Sequence, residues 1–236
     1  MIKKASLIIS AFVVTVIIST SCGTKVSNEA LEINDSSTSN EPSAAIEESS
    51  TNEVAIGNQV WMTKNLNVDK FRNGDPIPEA KTDEEWVSAG KNKQPAWCYY
   101  QNDPSNGTKY GKLYNWYAVK DPRGLAPNGF HVPSDEEWTI LTDNLGGKTS
   151  GTKMKSNKGW HQNGNGTNSS GFLGLPGGTR SNSGTFYFLG EFGYWWSSSE
   201  HATATARYRN LGYRFGFVGN TYTDKIDGHS VRCIRD

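Results

Sequence analysis

The chain has 236 residues, with 24 Lys plus Arg and 24 Asp plus Glu, so its formal net charge is zero. The basic residues are scattered and form no run that would follow a phosphate backbone, which argues against a nucleic-acid partner. All eight tryptophans lie between Trp61 and Trp196, so the apolar capacity for a core is concentrated in the later part of the chain. One folded domain from residue 54 to residue 236 is therefore predicted.

The N-terminal residues predict an exported protein. Lys3 and Lys4 precede a run of apolar and weakly polar residues over 5–18, and small residues follow as far as Cys22. The run is shorter than the ~20 apolar residues that a transmembrane helix needs. Residues 1–22 are accordingly interpreted as a signal peptide.

The end of this segment resembles a bacterial lipobox, with the departure that Ser19 occupies a position where Leu, Val or Ile is usual. The resemblance implies that Cys22 is the lipidated first residue of the mature chain. Gly23 in place of Asp after that cysteine implies sorting to the outer membrane. The alternative is ordinary cleavage, with Cys22 as an incidental thiol.

A linker is predicted over residues 23–53. This stretch has seven Asp or Glu against one Lys and almost no large apolar side chains, so it cannot bury enough surface to fold. Such a chain would hold the domain on the order of 30 Å from a lipid anchor.

The domain is predicted to open with a β-hairpin, in which residues 54–56 and 59–62 flank the turn Gly57-Asn58. Two short helices are predicted, each beginning with a capping box. Thr82 with Glu85 begins the first, and Ser134 with Glu137 begins the second, each with a tryptophan directly after the glutamate.

The remaining elements are predicted as short strands, turns and long ordered loops, which together indicate an α+β domain. The loop region after Gly147 is rich in Gly, Asn and Ser but carries single aromatic anchors. In the last strand, alternation places Val231 and Cys233 on one face and Arg232 and Ile234 on the other. The strands are expected at 97–100, 194–198, 208–218 and 229–236, and a turn at 102–107.

Six stretches together resemble the Fibrobacter succinogenes major paralogous domain, a family of exported bacterial domains. They are I-G-N-Q-V-W-M-T-K-N-L-N-V from Ile56, Y-G-K-L-Y-N-W-Y-A-V from Tyr110, L-A-P-N-G-F-H-V-P-S-D-E-E-W from Leu125, G-F-L-G-L-P-G-G-T-R from Gly171, W-W-S-S-S-E from Trp195 and S-V-R-C-I-R-D from Ser230. The resemblance covers residues 54–236. It implies a fold similar to C-type lectins and formylglycine-generating enzymes, in which the first and last strands pair, and it brings no catalytic residues.

The sequence lacks the motifs that carry the known chemistry of those two groups of proteins. The copper-binding cysteine pair of formylglycine-generating enzymes has no counterpart between Trp195 and Arg214, and the Glu-Pro-Asn, Gln-Pro-Asp and Trp-Asn-Asp motifs of calcium-dependent lectins are absent from the sequence. The histidines at 131, 161, 201 and 229 show no metal-ligand spacing. No metal or cofactor is expected.

Cys98 and Cys233 are the thiols that remain once Cys22 is lipidated. An even pair in an exported protein favours a disulfide. Two separately buried thiols are the alternative.

Aromatic residues carry the remaining functional signal, because Trp and Tyr rings stack on sugars and anchor protein interfaces. Six of the tryptophans fall in predicted helices and strands and are expected in the core: Trp61, Trp86, Trp116, Trp138, Trp195 and Trp196. The candidate ligand face is drawn from the polar loop region and its flanks. It comprises Trp160, His161, Asn163, Arg180, Tyr187 and Tyr194.

The sequence therefore favours a lipid-anchored envelope protein that presents a non-catalytic binding or adhesion domain. Glycans are the first expected ligand and a cell-surface protein is the second. The alternative is an enzyme whose site is assembled from dispersed histidines and carboxylates on the same fold.

Overall fold

The computed structural model describes residues 52–236. The predicted signal peptide, Cys22 and all but the last two residues of the predicted linker lie outside these residues. Glu53, assigned above to the linker, begins the first strand and pairs with Met62. Within the described range, no helix has both the length and the apolar content needed to cross a membrane.

The described residues form an α+β domain of eleven strands and five α-helices. The strands are β1 Glu53–Ile56, β2 Gln59–Met62, β3 Trp97–Cys98, β4 Leu113–Tyr114, β5 Phe130–His131, β6 Gly177–Arg180, β7 Phe186–Leu189, β8 Phe192–Ala202, β9 Thr205–Gly212, β10 Gly219–Asp224 and β11 Ile234–Arg235. The helices are α1 Asp83–Lys91, α2 Pro104–Tyr110, α3 Trp116–Val119, α4 Asp135–Asn144 and α5 Gly151–Met154.

The chain ends are joined in a four-stranded sheet of order β1-β2-β11-β5. The predicted hairpin is confirmed: β1 and β2 pair antiparallel around Gly57, whose φ of 59° suits the tight turn. Ile234 in β11 lies between Trp61 of β2 and His131 of β5. The family resemblance implies that the first and last strands pair, but the last strand pairs with β2, the second strand of the opening hairpin, and β1 lies on the far side of β2.

A second sheet of five strands has the order β10-β9-β8-β6-β7. Its strands are antiparallel except for β6 and β8, which run parallel and meet at Gly178 and Gly193. The strand predicted over 208–218 is too long, because β9 ends at Gly212. A turn follows there, in which the Phe215 N–H donates to the Gly212 carbonyl over 3.1 Å.

Both predicted capping boxes are confirmed. Thr82 caps α1 and Ser134 caps α4. The carboxylates of Glu85 and Glu137 in turn accept a hydrogen bond from the backbone N–H of the capping residue. Trp86 and Trp138 are fully buried, so each helix is fixed by its tryptophan.

The expectation of two helices is wrong, since the described residues contain three more. The segment predicted as a turn at 102–107 instead begins α2, where Asp103 accepts a hydrogen bond from the Ser105 N–H and Pro104 occupies the first helical position. Asn115 caps α3 in the same way through the Ala118 N–H. Asp and Asn favour turns and helix starts alike, which is why the turn was expected.

The six tryptophans expected in the core are all buried. The residues of the last segment divide as the alternation predicts. Val231 and Cys233 join one apolar cluster, and Ile234 joins another that contains Trp61 and Trp138. The regular strand β11, however, is shorter than the predicted 229–236.

The expected bond between Cys98 and Cys233 is not formed, and both thiols are free. Cys98 lies in a cluster with Trp86 and Tyr100, whereas Cys233 lies in a different cluster with Val231. Burial raises the pKa of each thiol to about 12. The two cysteines behave as small apolar core residues with little thiolate character.

Arg232 is completely buried and holds three segments together. Its Nε and Nη2 donate to Asn65 Oδ1 over 3.1 and 2.7 Å. Its Nη1 donates to the carbonyls of Met62 and Phe172. Burial lowers the pKa of Arg232 to about 9. We call this pair, Arg232 with Asn65, the arginine hub.

His131 ties the start of α4 to the end of the chain. Its Nε2 lies 2.7 Å from Glu137 and its Nδ1 lies 2.8 Å from Asp236. Partial burial alone would lower the pKa of His131, but hydrogen bonds to the two carboxylates raise it above the ordinary 6.5. The pKa of Glu137 falls below the ordinary 4.5 because the Ser134 N–H and His131 outweigh its own burial.

We expect the stabilisation from His131 to depend on pH. A raised histidine pKa stabilises the fold fully below pH 6.5 and loses its effect as pH rises through the folded pKa. A lowered glutamate pKa stabilises above pH 4.5 and fails as pH falls through the folded pKa. The melting temperature of His131→Gln should therefore fall furthest below wild type between these limits. The deficit should shrink as pH rises above 6.5.

The control is His201→Gln, an exposed histidine that hydrogen-bonds to Thr205 and stacks on Tyr222 and forms no salt bridge with a carboxylate in the described part of the chain. Thermal melts followed by circular dichroism across pH 5 to 9 measure both variants. A constant deficit for His131→Gln over that range would contradict the ion-pair account.

Candidate functional site

The six residues of the expected ligand face do not form one surface, and Trp160 is the first correction. Its side chain is 5% exposed, and its Nε1 donates to Ser156 Oγ over 3.0 Å. Asn165 accepts the Trp160 backbone N–H through its side chain. The polar loop thus supplies the hydrogen bonds that let Trp160 enter the core.

Arg180 is the second correction. It is fully buried, and its guanidinium donates to the carbonyls of Gly184, Ala80 and Thr82 over 2.8 to 2.9 Å. The ring of Trp86 lies 4.9 Å from the guanidinium carbon. Arg180 therefore fastens β6 to the start of α1 and is not available to a ligand.

His161 and Asn163 are exposed and lie in a tight turn beside the end of β7, in which Gln162 and Asn163 have positive φ. The His161 N–H donates to the Gly190 carbonyl over 2.7 Å, and its ring meets the edge of Tyr213 at 5.5 Å. This turn borders the loop between β7 and β8.

Tyr187 and Tyr194 belong to a continuous series of rings on the five-stranded sheet. We call it the aromatic row. Neighbouring ring centroids are 4.9 to 5.8 Å apart along the whole series. Its members, in spatial order, are Tyr187, Phe188, Phe192, Tyr194, Tyr208 and His229.

The row passes from solvent to core. Tyr187 and Phe188 are 44% and 45% exposed, whereas His229 is 3% exposed. Phe192 and Tyr194 lie two residues apart in β8, so their rings project from the same face and stack at 23°. The outer end is therefore an apolar surface that the described part of the chain leaves open.

Backbone strain positions the outer end. Phe188 has a φ of 66°, which is an outlier for a bulky residue. In the register of β6 with β7 it lies level with Gly178, whose φ is 67°. A Cβ on Gly178 would come within 2.6 Å of the Tyr187 carbonyl oxygen. The two strands can approach only with glycine there, and strain of this kind is frequent at ligand contacts.

The inner end is closed by His229. Thr179 Oγ1 donates to the Gly228 carbonyl, so Nδ1 of His229 is the donor in its 2.9 Å bond to that hydroxyl. Nε2 has no hydrogen-bond partner among the described residues. Burial lowers the pKa of His229 to about 3, so the ring is neutral and serves as a stacking surface for Tyr194, 5.1 Å away.

The phenols of Tyr194 and Tyr208 stay protonated. Burial raises the pKa of Tyr194 well above 10, and burial together with Asp227 raises that of Tyr208. Burial also raises the pKa of Asp227 to about 6. These groups can donate and accept hydrogen bonds beside an apolar surface, and none is an activated nucleophile.

Four members of the row were missed by the sequence interpretation: Phe188, Phe192, Tyr208 and His229. Alternation along β8 contained part of the signal, since Phe192, Tyr194 and Trp196 share one face. The contributions of β7, β9 and His229 depend on strand order, which no local pattern encodes.

No cation site accompanies the row. Across residues 52–236, no group of three or more His, Cys, Asp and Glu side chains converges as metal ligands would.

No curated protein and no solved structure resembles the chain significantly. The family model of the Fibrobacter succinogenes major domain matches residues 54–235, the segment that contains the five-stranded sheet, the arginine hub and the aromatic row. The chain therefore belongs to the Fibrobacter succinogenes major domain family.

Proposed function

We propose that the domain is a non-catalytic glycan-binding module of an envelope lipoprotein, and that the aromatic row is its binding surface. The observation that carries the proposal is the exposure of Tyr187 and Phe188, which are adjacent, 5.7 Å apart and close to half exposed. A soluble domain buries aromatic rings where it can, so an exposed continuous series indicates a partner.

The chemistry of the row suits a sugar. The apolar faces of pyranose rings pack on aromatic rings, and the sugar hydroxyls need hydrogen-bond partners at the edges. Tyr194 and Tyr208 supply neutral phenols, and Asn210 lies directly opposite Tyr194 in β9. A protein partner would use the same rings as anchors, and it is the second ligand class to test.

We further propose that the α+β fold is of the C-type-lectin and formylglycine-generating-enzyme kind. The pairing of β11 with the opening hairpin supports this. The lectin calcium motifs are missing from the sequence, so sugar contact would rest on stacking and hydrogen bonds.

The enzyme alternative lacks a comparable observation in the described part of the chain. Both ring nitrogens of His131 are occupied by Glu137 and Asp236, which leaves neither free for proton transfer. His229 is buried beneath aromatic rings. A general base needs a nitrogen within reach of a substrate.

The proposal includes a lipid anchor on Cys22 that attaches the protein to the outer membrane. Cys22→Ala should release the chain from the membrane fraction, because one residue carries the whole lipid attachment. Cell fractionation with immunoblotting measures the distribution. Membrane association equal to wild type would contradict the lipoprotein assignment.

Glycan binding is expected to depend on the exposed end of the aromatic row. Truncating an aromatic anchor at a binding surface costs about 1 to 2 kcal/mol, so Tyr187→Ala and Phe188→Ala should each weaken binding by about tenfold. A glycan array probed with the purified chain identifies the ligand, and titration calorimetry gives the affinities.

The matched control is Tyr222→Ala. Tyr222 is 51% exposed but lies on β10, at the opposite edge of the same sheet. The Tyr222→Ala variant should bind the glycan with the affinity of the wild type. The proposal would be refuted if neither Tyr187→Ala nor Phe188→Ala weakened glycan binding, or if the wild-type chain bound no glycan at all.

A further inference from the structure

A cavity of about 400 Å³ lies on another part of the domain, away from the aromatic row. Three segments form its walls: the residues after β2, the end of α2, and the loop before β6. A cavity of this size is in the range of small-ligand sites. Each wall includes residues from one of the family motifs, which begin at Ile56, Tyr110 and Gly171.

The lining is cationic and polar. Lys64 and Lys109 are the charged residues of the lining, and Thr63, Thr108 and Asn67 are among its polar residues. No residue in this lining carries a carboxylate. Both lysines are exposed, and neither forms a salt bridge within residues 52–236. Lys109 Nζ lies 4.7 Å from the centre of the Tyr110 ring, a contact that does not neutralise its charge. The positive charge of both lysines is therefore available to a ligand.

The arginine hub makes the walls rigid. Asn65 lines the cavity and donates from Nδ2 to the Tyr110 carbonyl over 2.8 Å, which joins the first wall to the second. Arg232 donates to the Phe172 carbonyl and so joins both to the third. Gly111 permits this approach, because a Cβ there would lie 2.7 Å from the Leu66 carbonyl oxygen.

The third wall also stores strain. Leu173 lines the cavity with a φ of 54°, which a branched side chain rarely adopts. Asn168 Oδ1 accepts the Leu173 N–H over 2.7 Å and keeps the residue in place. Because the walls of the cavity are already ordered, the protein loses little conformational entropy when a ligand enters.

We propose that this cavity binds a small oxyanion, with Lys64 and Lys109 as the charged contacts and the two threonines as hydrogen-bond donors. The carboxylate of an acidic sugar and a phosphate group share this chemistry. The site is separate from the aromatic row, so each proposal can fail without the other.

Titration calorimetry with the purified full chain tests the proposal, with glucuronate, inorganic phosphate and glucose as the three probes. Glucuronate, phosphate or both should bind, and glucose should not. The oxyanion that binds identifies the source of the ligand. Added NaCl should weaken binding, because the contacts are exposed charges.

The variants are Lys64→Gln, Lys109→Gln and the double variant. Each lost charge-assisted hydrogen bond weakens binding by about tenfold, so the double variant should lose nearly all affinity. Lys158→Gln is the control, since Lys158 is exposed and lies outside this cavity. Melting curves verify that every variant is folded. Failure of both oxyanions to bind, or equal binding by the double variant and the control, would overturn the proposal.

Discussion

The domain depends on one buried interaction, the contact of Arg232 with Asn65. A guanidinium without water is tolerated only where its N–H groups find acceptors. Asn65 Oδ1 accepts from Arg232 and also from Trp195 Nε1 over 2.9 Å. The hub thus joins the four-stranded sheet, through the residues beside β2 and β11, to β8 of the five-stranded sheet. Trp195 and Arg232 lie 130 and 167 positions after Asn65 in the sequence, and both donate to this one oxygen atom.

The surface features follow from this rigid centre. With Trp195 fixed on the inner face of β8, alternation directs Phe192 and Tyr194 to the other face. The edge strand β7 then extends the series of rings to solvent, where nothing in the described part of the chain covers Tyr187 and Phe188. A sheet edge with exposed aromatic residues is a liability unless a ligand or partner uses it.

The sequence predicted features whose physics is local. The capping boxes at Thr82 and Ser134 and the Gly57 turn need only neighbouring residues, and all three are present. Burial of Trp160 and Arg180 could not be predicted, because their hydrogen-bond partners become available only in the folded chain. Arg180, for instance, binds the Ala80 carbonyl 100 residues away. The aromatic row likewise required the order of four strands, although its β8 portion was implicit in alternation.

The most direct test of this account is the free energy of unfolding of Asn65→Ala, measured by urea denaturation against Asn220→Ala. Asn220 is exposed on β10, so its substitution should change stability little. Removing the Asn65 side chain leaves the Arg232 charge buried without its main acceptor, which should cost about 3 kcal/mol or more. A loss for Asn65→Ala no greater than that for Asn220→Ala would contradict the central role of the arginine hub.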